Sequence, residues 1–345
     1  MNRKIHPHSF FKFINFKQRV IICALLFMLI TSILLSTKIG AFNINLFEIF
    51  SKSASPLEEM ILLEIRIPRI LLSCFVGASL GLSGASLQGL FRNPLADPGL
   101  IGVSAGAALG ATLTIVIGSD FTFYTALEKY MIPISAILGS VCIIVLLYVS
   151  TMGFSQKGIT YMLLIGIAVN AFATVGIAFL TFISSDLELR SLSFWIMGSF
   201  GGSEWITILP GIIIISFAII WMIVSSRELD ILQLGESEAS RLGVDVKKLK
   251  FKVIISSAVI VGVSVSLSGM ISFVGLIVPH IVRMLGGVNH NFLLVSSAMA
   301  GGILMSVADL GSRTLIQPAE IPIGLITSAL GAPIFLWLIL KSVRK

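Results

Sequence analysis

Long apolar runs alternate with short polar breaks along this chain, and the runs set the architecture. They fall at 20–36, 67–90, 99–118, 131–150, 159–183, 206–224, 253–267, 273–285, 292–308 and 323–340. A helix needs about 20 apolar residues to cross a hydrocarbon core roughly 30 Å thick. Each run is close to that length, although the eighth is short and carries Pro279. The pattern therefore predicts ten membrane-spanning helices in an all-α polytopic protein, read as a single transmembrane domain over 1–345. A basic, aromatic segment, 1–19, precedes the first run, and no small-residue cleavage pattern follows Ser36. The first run is accordingly expected to remain as a helix.

The break at 226–252 differs from the others. It concentrates charge in Arg227, Glu228, Asp230, Glu236, Glu238, Arg241, Asp245, Lys247, Lys248, Lys250 and Lys252, between two apolar runs. Such a segment must lie in water. It also keeps apolar positions, Leu232, Leu234, Ala239 and Leu242, that a merely solvated loop does not require. Gly235 and Gly243 punctuate it, so the segment reads as short helical pieces. Its expected role is a docking surface for a soluble partner.

Composition narrows the class. A mean hydropathy of +1.02, 56% hydrophobic residues and 12% charged residues exclude an ordinary soluble protein. The net charge of +7 is then a matter of topology rather than of nucleic-acid binding. With both termini on one side, that side collects the basic N-terminus, Arg92, Lys157, the 226–252 stretch, Arg283 and the basic C-terminus. The opposite side keeps Lys38, Lys52, Arg66, Arg69, Lys129, Arg190 and Arg313. The positive-inside rule makes both termini, and the charged stretch, cytoplasmic.

Small residues mark close helix packing: Gly77 and Gly81 in the second run, Gly102, Gly106 and Gly110 in the third. Ser83-Gly84 before Asn93-Pro94 is echoed by Ser268-Gly269 before Val278-Pro279, which suggests an inverted repeat of spans 2–5 and 7–10. Cys23, Cys74 and Cys142 show no metal-binding spacing, and His6, His8, His280 and His290 form no cluster, so no metal is expected. No phosphate-binding loop is present and the dipeptide Gly-Lys is absent. ATP is therefore not expected on this chain. Asp97, Asp309 and Glu320 fall at run ends or in a loop, leaving no carboxylate at the centre of a span. That argues against an ion-coupled carrier and for a permease driven by another chain.

Five ordered segments now carry a resemblance. They are Arg66-Ile-Pro-Arg69, GLSGASLQGLFRNPLADPGLIGVSAGAALGA at 81–111, LQLGESEASRLGV at 232–244, GMISFVGLIVPHIVRMLGG at 269–287 and AEIPIGLITSALGAPIFLWLILK at 319–341. Over most of its length the chain resembles the bacterial FecCD-type permeases, membrane subunits of ATP-driven importers for ferric siderophores, haem and cobalamin. TFISSDLELRSLSFWIMGSFGGSEW at 181–205, with RTLIQPAEIPIGL at 313–325, looks most like the haem permeases. The resemblance implies a homodimer in the bacterial cytoplasmic membrane with the substrate path along its axis. Two ATP-binding subunits, carrying ATP and Mg, would bind inside, and a substrate-binding protein outside. It assigns ATPase coupling to Leu234, Gly235, Glu236, Glu238, Ala239, Arg241, Leu242 and Gly243. Arg66, Arg69 and Arg313 match positions that meet carboxylates of the binding protein. An arginine fork suits such partners, while snorkelling to headgroups, or pairing of Arg313 with Asp309, are the structural alternatives. Gly158, Ile159 and Thr160 match the inner gate.

Three readings stand at this point. The first is an importer permease for an iron-containing chelate, haem first and siderophore next, with cobalamin as the alternative cargo. The second is a self-contained ion-coupled transporter. The third is a membrane-anchored assembly protein with no path.

Overall fold

The computed structural model describes residues 14–40, 42, 44, 48–49, 51, 55–118, 128–150 and 158–343. Among the described residues it forms 13 helices and no strand. They are α1 (Phe16–Lys38), α2 (Pro56–Phe91), α3 (Val103–Val116), α4 (Glu128–Ser150), α5 (Gly158–Ile183), α6 (Asp186–Met197) and α7 (Trp205–Ile223). The remainder are α8 (Ser226–Leu232), α9 (Glu236–Arg241), α10 (Val246–Ser268), α11 (Val274–Gly286), α12 (His290–Ser312) and α13 (Ile323–Val343). Each of the ten predicted runs lies on one of these helices. Seven helices are long and apolar enough to cross a membrane, and α3, α11 and α13 supply the shorter apolar helices. The protein is a multi-pass membrane protein. The end at which α1 begins is called the near end below, and the end at which it finishes the far end.

Burial sorts the helices into shells. The apolar window of α2 is 78% buried and that of α10 72%, whereas those of α1 and α4 are 17% buried. α2, α10, α11 and α12 thus make the centre, and the others present apolar surface outward, as a membrane protein requires. Small residues explain the central contacts. A Cβ on Gly77 would collide with the carbonyl of Gly301, and one on Gly301 with the carbonyl of Gly77. Gly81 meets Ser297 O in the same way, so α2 and α12 touch backbone to backbone. Gly106 and Gly110 of α3 do likewise against Gly139 and Ser135 of α4.

Two local features depart from the sequence expectation. First, α2 begins at Pro56 rather than near residue 67. Ser55 caps it: Ser55 Oγ accepts from Glu58 N at 3.3 Å, while Ser55 N donates to Glu58 Oε2 at 2.8 Å. Ile61–Arg66 then winds as a π-helix, and Trp205 Nε1 donates to Leu63 O at 2.8 Å. Arg66 and Arg69 therefore sit on a continuous helix, not in a connecting loop. Second, α3 and α11 both start inside the bundle. The segment before α3 (the 3-10 turn Pro98–Ile101) and the segment before α11 meet around a cavity of about 110 Å³ lined by Asp97, Ser104, Asn170, Ser272, Leu80 and Val261, among others. Leu80 and Asn170 are mid-helix residues, so Asp97 lies deeper than the end of a span, where the run pattern put it. The repeated dipeptides do not share a setting: Gly84 lies inside α2 and Gly269 just past the end of α10.

Candidate functional site

The far end gathers the three arginines singled out above, and all are buried: Arg66 5% exposed, Arg69 7% and Arg313 9%. Arg69 Nε donates to Asp309 Oδ1 at 2.8 Å, and its two Nη atoms donate to Glu320 Oε1 and Oε2 at 2.8 and 3.0 Å. Arg313 Nε lies 3.5 Å from Asp309 Oδ2, and Arg313 Nη2 donates to Ser36 O at 2.6 Å. Arg66 is held by two carbonyls that end α1, Thr37 O at 2.6 Å and Lys38 O at 3.1 Å, and by Phe42 O beyond it. All three arginines are thus engaged within the chain, and the pairing of Arg313 with Asp309 is the structural alternative named above. A buried guanidinium needs acceptors, and α1, α12 and the segment before α13 supply them. The cluster ties α1, α2, α12 and Glu320 together. Glu320, with 45% of its side chain exposed, is the member that reaches the rim.

At the near end, the charged stretch folds as α8, a glycine corner, α9, a second glycine corner and the start of α10. Gly235 takes φ +112° and Gly243 φ +90°, values at which a Cβ is strained. Asp245 caps α10, accepting from Lys248 N at 3.1 Å. That hydrogen bond, followed by the nearby lysine, holds the Asp245 carboxyl below the usual carboxylate range. Its contribution to the cap is therefore complete above the ordinary carboxylate pKa and is lost as the pH falls through the lowered value.

The eight residues assigned to coupling divide by face. Leu234 is 65% exposed and Leu242 60% exposed, two large apolar side chains in a polar surface. Gly243, Glu238 and Arg241 are exposed beside them, with Arg241 Nη1 donating to Glu238 Oε1 at 3.0 Å. Gly235 and Glu236 are half-buried and Ala239 is buried. Glu236 Oε2 accepts from Lys250 Nζ at 2.8 Å, and Lys250 is 1% exposed. Glu236 is thus an internal ion-pair partner rather than a surface carboxylate. The loop after α2 joins the same face: Arg92 and Leu95 are exposed, and the Arg92 guanidinium lies against Gly235.

Sequence reasoning missed the bonds that fasten α8 to the membrane helices beneath it. Asp230 Oδ1 accepts from His290 N at 2.8 Å and from His290 Nδ1 at 2.6 Å. A carboxylate only accepts, so Nδ1 is the donor of that bond. Ser226 Oγ donates to Asn291 Oδ1 at 2.8 Å, and Gln233 Nε2 to Gly89 O at 2.8 Å. One signal was available: 226, 230 and 233 share one helical face. Their partners, far away in sequence, gave none. Of the gate residues, Gly158 starts α5, but the side chains at Gly158, Ile159 and Thr160 lie outside the described residues. Among the described residues no group of His, Cys, Asp and Glu could hold a metal ion.

Comparison with known proteins gives consistent results over most of the chain. The model of the FecCD transport family matches residues 28–341. The hemin transport system permease protein HmuU of Yersinia pestis is 41% identical over 323 residues, covering 94% of this chain and 96% of that protein. The vitamin B12 import system permease protein BtuC of Vibrio parahaemolyticus is 36% identical over 321 residues, covering 92% and 94%. A metal-chelate type ABC transporter solved in an inward-facing conformation superposes with a TM-score of 0.83 at 35% identity, covering 94% of this chain and 99% of that one. With a family match over nearly its full length and a matching helical architecture, the chain belongs to the FecCD transport family.

Proposed function

We propose that this chain is the permease subunit of an ATP-binding-cassette importer that carries an iron-containing chelate, haem in the first instance, into the bacterial cytoplasm. Two copies would line the path, two ATP-binding subunits with ATP and Mg would dock on the near end, and a substrate-binding protein would dock on the far end. The near end then faces the cytoplasm, in keeping with its exposed Arg92, Arg227, Arg241, Lys247 and Lys248. ATP hydrolysis belongs to the partner, and the chain itself is a transport component rather than an enzyme.

The observation that carries this reading is the α8–α9 hairpin. Leu234 and Leu242 stand exposed on a charged surface at the water-facing end of a membrane bundle. Large apolar side chains rimmed by charge mark a protein docking site. Haem is favoured by the 41% identity to a hemin permease, and the vitamin B12 permeases at 36% identity support cobalamin as a second reading. At the far end, Arg66, Arg69 and Arg313 act toward a binding protein mainly by holding the rim in shape. Direct pairing with its carboxylates requires them to leave Asp309, Glu320 and the α1 carbonyls.

The test replaces both leucines. Leu234→Asp with Leu242→Asp should leave the permease folded in the membrane, yet abolish copurification of the ATPase and uptake of haem by proteoliposomes loaded with ATP. Both side chains already face water, so the change costs complementarity and not core packing. Full copurification by the double variant would overturn the docking assignment. Uptake of cobalamin but not haem by the wild-type complex would select the second reading.

A further inference from the structure

Residues 226, 230 and 233 turn one face of α8 and its C-terminal turn toward the membrane helices. All three side chains on that face are hydrogen-bonded across to them. Ser226 and Asp230 hold the first two residues of α12, Asn291 and His290, and Gln233 holds the carbonyl of Gly89 in the last turn of α2. The imidazole of His290 fills the space under Gly89, where a Cβ would strike its Nε2. α8 is therefore fastened to α2 and α12 together, at the end where those two helices meet.

From there α2 and α12 run as one body. Their backbones touch at Gly77 with Gly301 and at Gly81 with Ser297, with no side chain between them. At the far end, α2 contributes Arg69 and α12 contributes Asp309, joined at 2.8 Å, and Arg69 also grips the rim residue Glu320 through both Nη atoms. A continuous series of hydrogen bonds, backbone contacts and an ion pair thus links the exposed Leu234 surface to the opposite end of the molecule. Energetic coupling between distant sites travels through physical networks of this kind.

We infer that Asp230, with His290, is a positioning joint that passes movement of the docked ATP-binding subunit to the α2–α12 body, and so to the Arg69–Asp309–Glu320 rim. Asp230 does not face the partner. Its carboxylate orients the imidazole and the first turn of α12 through two hydrogen bonds from one residue. The same joint carries the reverse message, by which a docked binding protein changes hydrolysis inside. This inference rests on the importer reading above.

The experiment uses the complete complex with its ATP-binding subunits and haem-loaded binding protein. Three quantities are read for each variant: copurification of the ATPase, hydrolysis without binding protein, and the stimulation that the binding protein adds. Asp230→Ala should retain the first two and lose roughly tenfold in the third. Asp230→Asn keeps an oxygen that accepts from His290 and should remain within about twofold of wild type. Should Asp230→Ala not accumulate in the membrane, Gln233→Ala with Ser226→Ala removes the flanking bonds and should show the same selective loss. Full stimulation in the alanine variants overturns the joint. Loss of ATPase copurification also overturns it, since Asp230 would then only shape the docking surface. If the wild-type complex shows no stimulation by haem-loaded binding protein, it is the importer reading that fails instead.

Discussion

Glu236 lies in the most charged stretch of the chain, yet it faces inward to Lys250. Its role shows how position decides what a carboxylate does. Lys250 is 1% exposed near the start of α10, so its ammonium has lost most of its water and depends on Glu236. Removing one partner of a buried pair costs more than the pair contributes, because an unpaired charge remains. Glu236→Gln should therefore lower stability by about 3 kcal/mol, read as a drop in Tm in detergent. Adding Lys250→Met to it should recover most of that loss. An equal drop in the single and double variants would show that the pair is incidental. Glu238, two residues on, pairs only with exposed Arg241 at 3.0 Å, and exposed pairs contribute about 0–1 kcal/mol.

Helices behave differently from single residues here, since their contacts are made by what is missing. α2 and α12 can approach because Gly77 and Gly301 lack side chains, and the small-residue pattern in the second run marked α2 as the closely packed helix. The partner was not legible: Gly301 lies far along the chain, and Gly-Gly pairs carry no pairing code. Gly77→Val should place a branched side chain against the Gly301 carbonyl and the Met305 Cβ, neither of which can move without the α12 backbone. Overpacking of that kind costs about 1–3 kcal/mol where side chains can adjust, and more where backbone must move. The expected outcome is loss of properly folded protein in fluorescence-detected size-exclusion chromatography. Gly118→Val, where the nearest atom is a Thr114 methyl at 3.3 Å, should be tolerated. Comparable loss in both would assign the effect to a general cost of valine at a glycine position rather than to the α2–α12 contact.

For the whole molecule, the question is where energy enters. Asp97 lines an internal cavity among mid-helix residues, deeper than the sequence pattern implied. One of its oxygens is occupied as a local cap, accepting from Gly99 N at 2.7 Å. A capping carboxylate is a structural part of the turn before α3, and an amide oxygen can replace it. Haem uptake driven by the docked ATPase should thus survive collapse of the proton gradient by a protonophore at constant ATP, and Asp97→Asn should transport at near wild-type rate. Uptake abolished by the protonophore, or by Asp97→Asn in a well-folded complex, would instead point to ion coupling.

What the sequence by itself determined is the part governed by local rules. Ten apolar runs bounded by polar breaks specify ten helices, because a bilayer of fixed thickness demands that length and satisfies no stray backbone group. Glycine at 235 and 243 and the Leu–Ala–Leu spacing likewise announced two short helices on a water-facing surface. Only the tertiary structure decided which charges are spent inside. Arg69 meets Asp309 and Glu320 from 240 and 251 residues away, and Asp230 meets His290 from 60. No periodicity reaches that far, so exposed and buried arginines look alike in the sequence. The depth of Asp97 was hidden for the same reason, since a run length fixes where a helix can span but not where its neighbours break.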